Sequence, residues 1–214
     1  MYEPKNFACL QDNTRNLLYQ FTESAPFLSE YSLVGGSALA LYLGHRKSED
    51  LDFFTFSKTF NKQAIIAYCR AFDSLKILNE SDEQLDLLIE EVKVTFFDAR
   101  WSFLRPVAPQ PLNIATLESI AAMKVHVLFL WAKYRDYYDL FFLANKVMGI
   151  PELFACAKQV VPGLTMRLFC IALTYIDDIE DDSIDHLDPV RQLSKEEIRN
   201  YFEQQIRTGG AVEV

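Results

Sequence analysis

VGGSALALYLGHRKSEDLDFF, residues 34–54, decides the reading of this chain. Gly35-Gly36-Ser37 forms a turn, an apolar helical pattern follows as far as Gly44, and Asp50-Leu51-Asp52 falls inside a strand-like run. Side chains at i and i+2 of a strand point to one face. The carboxylates of Asp50 and Asp52 are therefore expected to share one space. Neighbouring carboxylates repel unless a cation or a proton lies between them. Mg²⁺ is held in this way, by one or two carboxylates plus substrate phosphates. A glycine turn that opens a helix offers backbone N–H groups to an anion. The segment thus predicts a phosphate cradle beside a metal site. The bland alternative is a solvated strand end with two surface acids. It leaves Leu51, Phe53 and Phe54 unexplained, because such residues belong in a core.

Other groups fall in with this stretch. Ser48 lies two residues before Asp50, where its hydroxyl would touch the same metal or a phosphate, or else cap a turn. Lys124 stands inside an apolar helical run, Ala121-Ala122-Met123-Lys124-Val125. A buried lysine is costly without a partner. It either snorkels to the surface or meets an anion, and a compact ammonium suits phosphate. Further on, Asp136 and Asp139 are spaced i, i+3 on one helix face. Asp136 also reads as a cap at a helix start. On an unbroken helix Lys124 and Asp139 would lie about 60° apart in azimuth, and a break near Lys133 to Arg135 would change how they meet.

The 214 residues suffice for one large domain or a domain with a helical appendage. Half of them are apolar and 14% aromatic, enough for a sizeable core. No apolar run approaches the ~18 residues that span a bilayer. The first residues lack a basic start followed by an apolar stretch, so no secretory signal is expected. Cys9, Cys69, Cys156 and Cys170 are scattered, which predicts free, mostly buried thiols in a reducing cytoplasm. The net charge is −9, and residues 151–214 hold 6 basic against 12 acidic side chains. A general nucleic-acid coat protein is excluded, although His45-Arg46-Lys47 remains a candidate basic patch for RNA. The three histidines lack metal-ligand spacing. There is no nucleophile elbow, P-loop or dinucleotide-binding glycine pattern.

Periodicity predicts a helix over 8–22, a strand over 31–34, and a helix from the glycines to Tyr42. A strand follows over 51–56, then a helix over 62–72 and strands over 75–78, 85–90 and 92–97, the last two joined by a tight turn. Pro106, Pro109 and Pro111 mark a loop. Beyond it the pattern is helical: 116–132 with Thr116 as N-cap, 137–147, 151–160, 164–177, and 194–207. Ser194 and Glu197 make a capping box for the last helix. The acidic run 177–188 reads as a solvated connection.

Taken together these residues resemble the nucleotidyltransferase superfamily, whose pattern is a Gly-Gly or Gly-Ser turn, a helix, then Asp-x-Asp on the next strand. Gly35-Gly36-Ser37-Ala38-Leu39, Gly44-His45-Arg46 and Ser48-Glu49-Asp50-Leu51-Asp52-Phe53 resemble more narrowly the AbiEii/AbiGii toxin family. Lys124 and Arg135-Asp136-Tyr137-Tyr138-Asp139-Leu140 fit its later motifs, and residues 173–180 with the final helix resemble the tail of one branch. The resemblance implies an α+β fold: a mixed sheet flanked by helices over 1–112, then a helical region over 113–214 packed on that core. It implies transfer of a nucleoside monophosphate from an NTP to an RNA, with tRNA one candidate, or to a protein, with Mg²⁺ or Mn²⁺. MenT-like relatives add nucleotides to tRNA ends. It further implies a cytoplasmic toxin with an antitoxin partner, for which the acidic run 177–188 is one candidate contact. By position, Asp50 and Asp52 would bind metal, and Ser48, Arg46 and Lys124 the triphosphate. Gly35, Gly36 and Ser37 would hold phosphate through backbone and hydroxyl groups, and Asp139 would complete the site. One position departs from the pattern: Thr95 stands where a third carboxylate, which helps deprotonate the attacking hydroxyl, is usual. Asp98 has the opposite strand parity. The alternative function is therefore a catalytically weakened nucleotide-binding or regulatory protein on the same fold.

Overall fold

The computed structural model describes residues 3–4, 6–108, 110–181 and 183–209. Pro109, one of the three prolines of the expected loop, falls outside them. The chain divides into two compact units, Met1–Thr116 and Leu117–Val214.

The first unit is built on a mixed six-stranded sheet in the order β3-β4-β5-β2-β1-β6. The strands are β1 Tyr31–Val34, β2 Leu51–Thr55, β3 Leu75–Glu80, β4 Gln84–Ile89, β5 Val92–Phe97 and β6 Asn113–Ile114. β2 runs antiparallel to β1 and parallel to β5, β4 lies antiparallel between β3 and β5, and β6 pairs parallel to β1. Three helices complete the unit: α1 Asp12–Ser24, α2 Gly35–Leu43 and α3 Lys62–Cys69.

Alternation along β2 sorts the two faces of the sheet. Leu51, Phe53 and Thr55 are buried, while Asp52 and Phe54 between them are half-buried. Phe53 stacks on Phe96 of β5 at 5.4 Å, and Phe21 of α1 lies 6.0 and 6.2 Å from these two rings. That face is the apolar core. Asp52 and Thr95 stand on the opposite face, directly across from one another. α2 buries every residue from Ser37 to Leu41, as a helix apolar all round must.

The two strands β4 and β5 are joined through Glu90 and Glu91, at φ +48° and +69°. Two successive residues in this region match the right-handed twist of a hairpin, so the tight turn forms here without glycine or asparagine. The first helix begins later than its periodicity suggests, because Phe7–Cys9 winds instead into a 3₁₀ turn and Leu10 bridges to Ser48. β6 was not foreseen; two residues beside prolines give no alternation to read. Asn113 anchors it by donating from Nδ2 to the carbonyls of Ser29 and Tyr31, both at 3.2 Å.

The second unit is helical: α4 Leu117–Leu128, α5 Tyr134–Lys146, α6 Ile150–Ala157, α7 Met166–Thr174 and α8 Lys195–Gly209. The helix expected to reach Ala132 stops four residues sooner. The N–H groups of Phe129 and Leu130 fold back onto the carbonyls of His126 and Val127, and Trp131 next to them is 70% exposed. α5 then starts three residues before its expected position. Its first turn is closed by Asp136 Oδ2, which accepts from the Lys133 N–H at 3.0 Å. The Tyr134 and Tyr138 hydroxyls donate to the carbonyls of Leu193 and Arg191, and Tyr137 to that of Ala172. Burial pushes the Tyr137 phenol well above its ordinary range, with the nearby Asp136 adding to it. The acidic run is less solvated than its composition suggests. Asp181 accepts from the Tyr134 N–H at 3.1 Å, Asp177 pairs with Arg199, and Ile184 and Leu187 are buried. Ser194 and Glu197 form the expected box at α8, with Ser194 N–H donating to Oε2 at 2.7 Å and Glu197 N–H to Oγ at 3.1 Å. Among the described residues no helix is long and apolar enough to cross a membrane.

Candidate functional site

In the first unit the site residues gather where β1 passes into α2. Val34 at the end of β1 pairs with Asp52 of β2. The chain turns at Gly35 with φ +70°, a conformation that favours glycine. A β-carbon on Gly35 would lie 2.5 Å from Asp52 Oδ2, so the carboxylate rests on bare backbone at the start of the helix. A β-carbon on Gly36 would lie 2.5 Å from Arg46 Nη2 and 3.4 Å from Ser48 Oγ. The two glycines therefore let an acid, a guanidinium and a hydroxyl approach the first turn of α2 closely. Gly35, Gly36, Arg46, Ser48 and Asp52 are all brought together here.

Three details differ from the sequence expectation. Asp50 immediately precedes β2 and does not lie inside it, although it keeps its i, i+2 relation to Asp52. The Ser37 hydroxyl donates its one proton to the Asp50 carbonyl, so in this structure it fixes the peptide that carries Asp50. His45 and Arg46 are buried, which dissolves the candidate RNA patch and leaves only Lys47 of the three exposed. Arg46 is steered inward, where Nη1 donates to the Lys47 carbonyl at 2.8 Å.

The loop that carries Arg46, Ser48 and Asp50 is clamped by the beginning of the chain. The Ser48 N–H donates to the Cys9 carbonyl at 2.8 Å and its own carbonyl accepts from Gln11 at 3.0 Å. The Thr14 hydroxyl donates to the Glu49 carbonyl at 2.7 Å. No motif in residues 6–15 announced this supporting role, because it works mostly through backbone atoms.

The donor set fits a divalent cation of the Mg²⁺ type. Asp50 and Asp52 offer hard oxygen ligands, and the bare Cα of Gly35 lets the Asp52 carboxylate lie close against the start of α2. Among the described residues no group of three or more His, Cys, Asp or Glu side chains is assembled to hold a metal. A dedicated cage is not required, because Mg²⁺ keeps waters and takes its remaining ligands from substrate phosphates.

In the second unit the break between α4 and α5 brings the later motifs together. Lys124 Nζ lies 2.8 Å from Asp136 Oδ1 and 2.7 Å from Asp139 Oδ2. Lys124 is 7% exposed and Asp139 fully buried. The lysine does not snorkel. Its ammonium meets both carboxylates, and the three residues form a buried cluster. Asp136 serves both this cluster and the helix start. Asp98, the doubtful substitute for a third carboxylate, is taken by Arg100, whose Nε contacts both of its oxygens at 3.0 Å.

A family model described as the nucleotidyl transferase AbiEii toxin of type IV toxin–antitoxin systems matches residues 16–97 and 91–204. An uncharacterized protein of Aquifex aeolicus (strain VF5) is 29% identical over 184 residues, covering 82% of this chain and 89% of the relative. Among solved structures, the nucleotidyltransferase toxin MenT4 of Mycobacterium tuberculosis H37Rv is similar with a TM-score of 0.56 and 17% identity, over 87% of this chain and 79% of its own. A protein of H. pylori assigned to the nucleotidyltransferases gives 0.51 and 18%, over 92% and 97% of the two chains. The antibiotic-resistance factor ANT(2'')-Ia gives 0.51 and 13%, over 70% and 92%. At such identities these likenesses show the fold alone, and it is the nucleotidyltransferase fold. The family match spans nearly the whole chain, and the chain belongs to the AbiEii nucleotidyltransferase toxin family.

Proposed function

We propose that this enzyme uses a divalent cation to move a nucleoside monophosphate from an NTP to a hydroxyl group of an RNA, and that this transfer is its toxic activity. The observation that carries the reading is the first turn of α2, which Asp52, Arg46 and Ser48 all approach closely. An anion at this turn meets backbone N–H groups and the positive end of a helix dipole. Arg46 adds a fork of fixed donors suited to phosphate oxygens. Ser48 adds a hydroxyl. A cation held by Asp50 and Asp52 would, when bound, neutralise charge on the triphosphate.

The acceptor oxygen attacks the α-phosphorus. An O–P bond forms, the bond to the α–β bridging oxygen breaks, and pyrophosphate leaves with the electron pair. The chain's contribution is positioning and charge stabilisation. The family resemblance gives Lys124 and Asp139 functional roles of their own. The RNA acceptor, with tRNA ends first, also rests on that resemblance. An antitoxin partner follows from the toxin family.

The test incubates the protein with each α-labelled NTP, Mg²⁺ or Mn²⁺, and total tRNA or lysate. Label on RNA is expected. Label on protein alone would overturn the RNA acceptor, and no label anywhere would overturn transfer. Thr95, at the place of the usual third carboxylate, favours the second reading of a nucleotide-binding protein with weakened chemistry. That reading predicts NTP–Mg²⁺ binding by calorimetry without any transferred label.

A further inference from the structure

Thr95 does not stand alone on its face of the sheet. In β5 it lies opposite Asp52 of β2 on one side and opposite Asp86 of β4 on the other. Residues paired directly across a sheet point the same way, so Asp52, Thr95 and Asp86 form one row on one face. With strands about 4.8 Å apart, Asp86 is displaced by a single strand from the place a third carboxylate would hold.

The Asp86 side chain is built into that row. Thr95 Oγ1 donates to its Oδ1 at 2.9 Å, and Gln84 Nε2 donates to both oxygens at 2.9 and 2.8 Å. Asp86 is only 8% exposed, as is Thr95. Among the described residues it has no cation as partner, only neutral donors. A buried carboxylate without a counter-ion is costly to stability, and the apolar row on the other face shows that the sheet does not need one for its packing. The hydrogen bond also fixes the threonine. Its only proton points at Asp86, so its lone pairs are what it presents to anything else.

We propose that Thr95 and Asp86 together do the work of the absent third carboxylate. This rests on the nucleotidyl-transfer reading above. The acceptor hydroxyl donates to Thr95 Oγ1. As its oxygen bonds to the α-phosphorus, its proton passes to Thr95 Oγ1, and the threonine's own proton passes to Asp86 Oδ1. Thr95 ends the step a neutral hydroxyl, Asp86 a neutral acid, and pyrophosphate carries away the electron pair of the broken P–O bond. Gln84 holds the receiving carboxylate in place.

The test compares single-turnover transfer rates and NTP affinity in wild type, Asp86→Asn, Thr95→Val, the double variant of these two, and Thr95→Asp combined with Asp86→Asn. Asp52→Asn serves as the control for the site itself. General-base contributions run to about 10²–10⁴-fold. Asp86→Asn and Thr95→Val are each expected to lower the rate by about 10²-fold or more with NTP affinity unchanged. Their combination is expected to be no worse than either alone, as for residues acting as a unit. Thr95→Asp is expected to restore the rate in the Asp86→Asn background, which no merely structural role would allow. A folded Asp86→Asn protein that transfers within twofold of wild type, while Asp52→Asn is dead, overturns the Thr95–Asp86 relay and leaves the transfer reading standing. A wild-type protein that transfers nothing overturns both.

Discussion

The Asp52 carboxylate rests on the bare Cα of Gly35, where a β-carbon would come within 2.5 Å of Oδ2. Gly35→Ala is therefore expected to act twice. Holding alanine at φ +70° costs about 1–2 kcal/mol, and the carboxylate must shift away from the start of α2. A displacement of about 1 Å at a reacting centre is worth about 10²-fold in rate. Thermal melting and transfer assays on one sample check both effects. A variant with normal activity would show that the close approach is incidental.

The Ser37 hydroxyl donates to the Asp50 carbonyl. Ser37→Ala is expected to lose about 1 kcal/mol of stability and to lower the transfer rate more than it lowers NTP affinity. Equilibrium NTP binding beside rate measurements separates the two. A pure loss of affinity would instead assign the hydroxyl to the phosphates.

Lys124 holds two buried carboxylates. Removing it takes away the ammonium they share, and breaking a buried pair costs about 3–5 kcal/mol. Lys124→Met is expected to lose stability on that scale. Adding Asp139→Leu is expected to recover part of the loss, a coupling that urea denaturation of the two singles and the double reads directly. Strict additivity would contradict the contact.

All four cysteines are free, as their scatter in the sequence predicts. Burial pushes the Cys69 thiol up to about 12 from an ordinary 9.0. The folded chain keeps this proton where the unfolded chain releases it. Its contribution to stability is thus complete below pH 9 and is lost as pH rises towards 12. Iodoacetamide at pH 8 is expected to leave Cys69 unmodified in the native protein and to modify it in denaturant, as peptide mass spectrometry would show. Native modification at the denatured rate would contradict its burial.

Much of this was legible in the sequence, and for specific reasons. Gly35 and Gly36 announce a turn, and the aromatic-rich run from Leu51 to Phe56 announces a strand. The periodicity of residues 116–147 announces helices, but nothing between Leu128 and Tyr134 breaks helical propensity. The stop there comes from folding back of the backbone, which brings Asp139 to Lys124. Asp86 was missed because its meaning is a register. Its partnership with Thr95 spans nine residues and a hairpin turn without glycine or asparagine, and only the pairing of β4 with β5 puts the two opposite. Ser37 and Asp50 were assigned by motif, whereas their contact depends on where α2 meets the segment just before β2.

The central claim is that the turn at Gly35 and Gly36, with Asp50 and Asp52, is where a nucleotide is bound and its α-phosphorus attacked. The most direct measurement follows label from α-labelled NTP into tRNA for the wild type, Asp50→Ala and Asp52→Asn, each checked for native circular dichroism. The account predicts labelled RNA with the wild type and none above background with either folded variant. Equal labelling by Asp50→Ala or Asp52→Asn would contradict it.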